Sequence, residues 1–268
     1  SSLRALFYLW LAAKNRRYWS PMKVGVIGAG VMGRGIAQVS AMAGHEVVLF
    51  DINHEVLASA KAAVSKNLNK AIELGKLTEE GKLATDANLQ YTNSIADVRV
   101  DLIIEAIVER LDVKAKVLAD LAEINGEATI YASNTSSIPL TQIAANFMYP
   151  KQVVGIHYFN PAHIMKLVEV ISAEQTGPEV VKVALEYVKS VNKTCVVAKD
   201  APGFIVNRVA RHFYMEGLKI LEEDVASQDV MDDVVRSSGF KMGPFQLMDL
   251  IGVETNLSGT EFMYQVLN

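Results

Sequence analysis

The amino-acid sequence predicts an α/β protein: a mostly parallel sheet with helices on both faces, followed by a domain made of helices alone. Three observations lead there. From Lys23 to Ser172, apolar runs of strand length alternate with longer runs whose apolar residues recur at helical spacing. After Pro202 the strand signals stop and only helix-length segments follow. Half of the 268 residues are hydrophobic and 21% are charged, an ordinary globular balance with material for one large or two smaller cores.

Taken in order, Val24–Ile27 reads as a short buried strand, Val31–Ala43 as a helix and Glu46–Phe50 as a second strand. The stretch Glu55–Gly75 is a long helix, because Val56, Leu57, Ala60, Val64, Leu68, Ala71 and Ile72 fall near one face. A strand at Asp101–Ile107, a helix at Asp112–Ile124 and a strand at Thr129–Ala132 continue the alternation. Two more strand-like runs, Val153–Phe159 and Lys166–Ser172, are joined by an Asn160-Pro161 turn signal. Beyond Asp200-Ala-Pro-Gly, the segments Phe204–Glu223, Gln228–Ser237 and Phe245–Leu267 read as helices. The expected domains are therefore 22–201 and 202–268, with no internal repeat.

His157 and Glu169 lie in those two joined runs. If the turn centres on His163, antiparallel pairing sets them directly opposite each other, with Cβ atoms roughly 5 Å apart. A carboxylate at that distance fixes the imidazole tautomer and stabilises its protonated form, which a general base requires. A structural ion pair is the alternative reading of the same spacing. Glu169 interrupts the run Leu-Val-x-Val-Ile, so an ionised side chain there needs a partner.

Upstream, Gly28-Ala-Gly30-Val31-Met32-Gly33 follows a strand and opens a helix. Such a GxGxxG gives a tight turn, a close backbone approach to a pyrophosphate and free N–H groups at a helix start. Asp51 ends the next strand and is placed to accept the ribose hydroxyls of an adenosine. A 2′-phosphate would be repelled there, so NAD is expected over NADP. The bland reading of Asp51 is a helix N-cap. With strand, glycine turn, helix and acid in register, the first domain is expected to be a Rossmann-type dinucleotide-binding domain.

A net charge of −4 gives no support for nucleic-acid binding, and the apolar run Ala5–Ala13 is too short to span a membrane. Residues 1–21 hold four cationic and no acidic side chains, and are expected to be a leader or extension outside the fold. The single cysteine, Cys195, sits in an apolar run and is expected to be buried in a strand. No metal site is expected.

Several motifs in order resemble the L-3-hydroxyacyl-CoA dehydrogenases. They are Lys23–Asp51, Leu102–Glu109, Ser133-Asn-Thr-Ser-Ser137, His157-Tyr-Phe-Asn-Pro161, Lys166–Val170, Pro202-Gly-Phe-Ile-Val-Asn-Arg208 and Met242-Gly-Pro-Phe245. The resemblance runs from about Met22 to the last residue. It implies oxidation of an acyl-CoA 3-hydroxyl to a ketone with hydride passing to NAD, and a cleft between the two domains. By position it makes His157 the general base and Glu169 its orienting carboxylate. Ser136 and Asn207 become hydrogen-bonding partners of the substrate near its reacting oxygen. Glu109, Lys114, Asn134 and Asn160 match positions around the nicotinamide end of the cofactor.

The residues alone leave Ser136 and Ser137 undecided, allow Glu109 as a helix-start acid, and allow Lys114 on a solvated helix face. Lys61, Lys66 and Lys70 form an imperfect stripe that reads as solvated rather than as a CoA site. Monofunctional relatives continue further, so the helical domain is expected to be incomplete, leaving Leu247, Leu250, Phe262 and Val266 short of partners. The resemblance also implies a homodimer, or a section of a multifunctional β-oxidation protein, in the cytoplasm or, with a leader, the mitochondrial matrix. A sugar-acid dehydrogenase and a non-catalytic NAD-binding protein are the alternative functions.

Overall fold

The computed structural model describes residues 20–267, and the chain divides into two compact units between Lys199 and Asp200. The expectation for residues 1–21 falls almost wholly outside the described residues.

The first unit is built on eight strands: β1 (Lys23–Ile27), β2 (Glu46–Phe50), β3 (Leu89–Thr92), β4 (Leu102–Glu105), β5 (Ile130–Ser133), β6 (Val153–Tyr158), β7 (Leu167–Ser172) and β8 (Thr194–Lys199). Their spatial order is β3-β2-β1-β4-β5-β6-β7-β8. All neighbours run parallel except β6 and β7, which are antiparallel. Central strands of such a sheet are covered on both faces, and β4, β5 and β6 are accordingly buried at every residue. The strand order reverses at β1, which pairs with β2 on one side and β4 on the other. That reversal leaves a crevice beyond the carboxyl ends of β1 and β4, the usual ligand position in this architecture.

Helices α1 (Val31–Met42), α2 (His54–Glu73), α3 (Glu79–Ala87), α4 (Leu111–Asn125), α5 (Leu140–Ala145) and α6 (Pro178–Ser190) complete the unit. The predicted stripe of α2 buries Leu57, Ala60, Val64 and Leu68. Asn53, not Asp51, is its N-cap, accepting from the Glu55 and Val56 amides. Three helices and β3 were not foreseen. β3 has only four residues, and α3 is mostly polar, with Thr85 its only buried residue. The signal for α6 was present, since Val180, Ala184, Tyr187 and Val188 are buried at helical spacing behind a Pro178 start. Cys195 corrects an expectation: it is half-buried, on β8, beside whose outer edge no further strand pairs among the described residues.

The second unit holds α7 (Val206–Glu222), α8 (Gln228–Ser237), α9 (Pro244–Ile251) and α10 (Val253–Leu267). The single helix expected over Phe245–Leu267 is two, because Gly252 adopts φ +94° and ends α9. Gly243-Pro244-Phe245 is explained by Asp232 on α8, buried and accepting the Phe245 and Gln246 amides at 3.0 Å each. That carboxylate fills the space where a Cβ at Gly243 would stand. Leu250 is exposed while Leu247 and Phe262 are half-buried. The side chain of Val266 lies outside the described residues. Among the described residues, no helix is long and apolar enough to cross a membrane.

Candidate active site

The glycine turn sits where β1 meets α1. Gly28 has φ +95°, a region L side chains avoid, and its amide donates to the Phe50 carbonyl at 2.8 Å. A Cβ on Gly33 would fall 1.7 Å from the Gly28 carbonyl oxygen, so this glycine lets helix and turn pack. Gly30 differs from both. Its φ is an ordinary −64° and a Cβ there would meet nothing within 4 Å. Neither conformation nor packing within the chain demands glycine at 30, whereas a pyrophosphate laid against the helix start does. Val31 and Met32 form the first turn of α1, and Val31 is exposed. Asp51 holds the turn from the β2 end, accepting from the Ala29 amide at 2.8 Å through Oδ2 and from Asn53 through Oδ1.

Beyond β4 and β5 lies a buried charge cluster. Lys114 on α4 is 1% exposed and donates to Glu105 Oε1 at 2.7 Å; its ammonium is 3.1 Å from Glu109 Oε2. The solvated-face reading of Lys114 is thereby excluded. Glu105, fully buried at the end of β4, also accepts from the Ile107 amide and from Ser133 Oγ, both at 2.7 Å. Glu109 gathers the loop after β5 through one oxygen, Oε1. That atom accepts from Thr135 Oγ1 at 2.5 Å, from the Ser136 and Ser137 amides at 3.1 Å each, and from Ser137 Oγ at 2.8 Å. Burial alone would push its carboxyl up; the Lys114 ammonium and the Thr135, Ser137 and Lys114 hydrogen bonds outweigh that and hold its pKa down to about 2.

This clamp separates the two serines. Ser137 spends its hydroxyl on Glu109, whereas Ser136 is exposed and its hydroxyl has no partner among the described residues. Asn134 is engaged structurally, its Oδ1 accepting from the Tyr158 amide at 2.8 Å and so tying the end of β5 to β6.

His157 and Glu169 are register partners across β6 and β7. Nδ1 of the histidine lies 2.8 Å from Glu169 Oε2; the ring is 4% exposed and the carboxylate fully buried. The geometry expected from a turn centred on His163 is the geometry found. Phe159 stands edge-on to the imidazole at 4.6 Å between ring centroids. Asn160 is exposed at the start of the connecting loop, before a cis Asn160–Pro161 bond. Lys193 pins that loop by donating to the Ala162 and Met165 carbonyls at 2.7 Å each.

The first unit thus holds thirteen of the fourteen predicted residues, the pair His157–Glu169 among them. Asn207 belongs to the second unit, in the first turn of α7, where its carbonyl accepts from Arg211 Nε at 3.4 Å. Sequence reasoning missed Glu105, Ser133, Thr135 and Lys193. An acidic residue closing the apolar run Leu102-Ile-Ile-Glu105 was the available signal for the first, by the same logic that singled out Glu169.

A glycine turn at the strand-order reversal, an acid closing β2 and a carboxylate-bound histidine define a dinucleotide-binding domain of dehydrogenase type. Comparison with known proteins makes this specific. Residues 23–201 match the family model described as 3-hydroxyacyl-CoA dehydrogenase, NAD binding domain, and residues 203–268 match the C-terminal domain of the same family. The chain belongs to the 3-hydroxyacyl-CoA dehydrogenase family. It is 45% identical over 242 residues to the 3-hydroxyadipyl-CoA dehydrogenase of Escherichia coli strain K12, covering 88% of this chain and 50% of that protein. A probable 3-hydroxybutyryl-CoA dehydrogenase of Deinococcus radiodurans is 38% identical, with 92% of this chain and 89% of that one covered. Among solved structures, the 3-hydroxybutyryl-CoA dehydrogenase of Escherichia coli K12 superposes with a TM-score of 0.90 at 44% identity, covering 93% of this chain and 53% of the other. The chain thus spans about half the length of the first of these relatives and of that structure.

Proposed function

We propose that this protein oxidises the 3-hydroxyl of a 3-hydroxyacyl-CoA to a ketone with NAD, and catalyses the reverse reduction. The observation that supports it most is the buried His157–Glu169 pair at 2.8 Å. NAD, when bound, accepts the hydride from C3. Glu169 holds Nδ1 and with it the tautomer, so Nε2 of His157 takes the hydroxyl proton as the C–H bond breaks. Charge left on the oxygen is met by Ser136, whose hydroxyl Glu109 presents by fixing the loop around it, and by Asn207. Gly28, Gly30, Val31, Met32 and Gly33 receive the pyrophosphate and Asp51 the adenosine ribose. Glu109, Lys114, Asn134 and Asn160 border the nicotinamide end, Lys114 acting from beneath through Glu109.

The relatives' names include a dicarboxylic and a four-carbon acyl-CoA; the shared 3-hydroxyacyl thioester is the class proposed, in fatty-acid or short-chain acyl-CoA metabolism. The second unit exposes Val209, Leu218, Val230, Val234 and Leu250, and we propose that this apolar surface is the face of a homodimer. A monomer in sedimentation velocity at micromolar concentration would remove that element.

The test of the reaction is NADH oxidation with acetoacetyl-CoA, NADPH serving as control. Turnover is expected with NADH, and His157→Ala should lower it by at least about 10²-fold while NADH still binds by fluorescence. Unchanged turnover in that variant would take histidine out of the mechanism. NADH binding without turnover on any 3-oxoacyl-CoA would overturn the substrate class.

A further inference from the structure

The second unit contains a cationic site that the chemistry above leaves unused. Arg211 lies four residues beyond Asn207 on α7, and side chains at that spacing share a helix face. Its Nη1 donates to the Asn256 carbonyl and to Thr260 Oγ1 on α10, both at 2.8 Å. The guanidinium stands over the Tyr214 ring, 5.2 Å from its centroid. Gly259 provides the space, since a Cβ there would meet Nη1 at 3.2 Å and both Cζ and Nη2 at 3.5 Å. Glycine inside a helix is unfavourable relative to alanine, so the guanidinium's place is held against local propensity. All of these neighbours are neutral. Among the described residues, Arg211 has no carboxylate within ion-pair distance.

Asn256 provides an independent observation. It is 6% exposed, and its Oδ1 faces Arg211 Nη1 at 3.5 Å and Thr260 Oγ1 at 3.4 Å. That orientation leaves Nδ2 buried with no hydrogen-bond partner among the described residues. Buried donors without acceptors are costly and uncommon. A guanidinium without a counter-ion beside an amide donor without an acceptor is a donor set that lacks an oxyanion.

We propose that Arg211 and Asn256 bind the terminal carboxylate of a dicarboxylic 3-hydroxyacyl-CoA, so that this chain selects acyl groups ending in an anion. The inference rests on the dehydrogenase reading, in which Asn207 stands at the reacting oxygen on C3. One helical turn advances about 5.4 Å, which matches a carboxylate some three carbons beyond C3. The phosphates of CoA are separated from C3 by the whole pantetheine arm in the other direction, and fit this spacing poorly.

Two pairs of ligands test it on the full chain. Turnover with NAD is compared for 3-hydroxyadipyl-CoA and 3-hydroxyhexanoyl-CoA, which differ only in the chain's end. Binding of adipyl-CoA and hexanoyl-CoA, which lack the reacting hydroxyl, is compared by calorimetry on the NAD-loaded protein. The dicarboxylic member is expected to be preferred in both. Arg211→Met should reduce that preference about 10- to 100-fold, the range for a hydrogen-bonded charge, chiefly through KM. Asn256→Ala should reduce it in the same direction by less, and serves if the arginine variant fails to fold. Equal handling of both ends by the wild type would overturn the proposal. So would Arg211→Met weakening both ligands alike, which would assign the arginine to CoA or to the fold. A binding preference without turnover on either substrate would sustain the anion subsite and overturn the dehydrogenase reading.

Discussion

Removing the Lys114 ammonium tests whether the charge cluster behind the serine loop is as tightly coupled as its geometry requires. In Lys114→Met, the fully buried Glu105 keeps the Ile107 amide and Ser133 hydroxyl but loses its one cationic partner among the described residues. Glu109 suffers less, because Thr135 and the 136–137 loop still donate to it and its side chain is 37% exposed. Breaking a buried pair from one side costs about 3–5 kcal/mol, a large share of the roughly 5–15 kcal/mol that holds a domain together. Replacing Glu105 as well, in Lys114→Met/Glu105→Gln, removes the stranded charge and should restore more than half of that loss. Urea unfolding at neutral pH, followed by far-UV circular dichroism, measures all four corners of the cycle. A coupling energy above about 1.5 kcal/mol is expected. If the double variant loses the sum of the two single losses, the pair is not coupled and Glu105 is satisfied by its neutral donors alone.

Two glycines should respond in opposite ways. Gly33→Ala drives a methyl into the Gly28 carbonyl and should lower the melting temperature, whereas Gly30→Ala meets only open space and should leave melting unchanged while weakening NAD binding at least about tenfold. A Gly30→Ala protein that binds NAD normally would mean that the pyrophosphate does not approach there. His45 ties strand β1 to α6: Nδ1 accepts from the Met22 amide at 3.1 Å and Nε2 meets Ser190 Oγ at 2.7 Å. Burial lowers its pKa from 6.5, so the unfolded chain takes up a proton first as the solution is acidified. Its contribution is therefore present above pH 6.5 and lost as pH falls through the lowered folded value. The slope in that window is at most about 1.4 kcal/mol per pH unit. His45→Leu should flatten the pH dependence of unfolding there, and an unchanged slope would assign it to carboxylates.

What the sequence made legible follows from which interactions are local. The glycine turn and Asp51 lie within one strand–helix–strand unit, so spacing alone predicted where they meet. The His157–Glu169 pair was legible because two strands joined by a short turn have one register that puts both ends inside, and an acid in an apolar strand demands a partner. Ser136 against Ser137 was not legible. What distinguishes them is Glu109, 27 and 28 residues away in the turn after β4, which engages the Ser137 hydroxyl and not that of Ser136. The residues alone left a solvated face open for Lys114 for the same reason: its charge suggested water, while its two carboxylates arrive from the end of β4 and the turn that follows.

These residues share a physical logic that runs through the whole first unit. At the end of β4 a buried acid is matched by a buried lysine, and across β6 and β7 a buried acid is matched by a histidine. Each ionised carboxylate would be costly there alone, and each instead fixes a neighbour: Glu105 holds Lys114, which pairs with the Glu109 that gathers the serine loop, and Glu169 holds the imidazole ring. A scaffold of this kind would keep the groups we propose to react in place before any ligand arrives, which is the condition under which their dipoles lower a barrier rather than merely solvate it. Arg211 and Asn256 break the pattern, since among the described residues they are donors held in place with no acid beside them. By the same logic that makes Glu105 and Glu169 intelligible, we propose that the acid for this pair comes with the substrate.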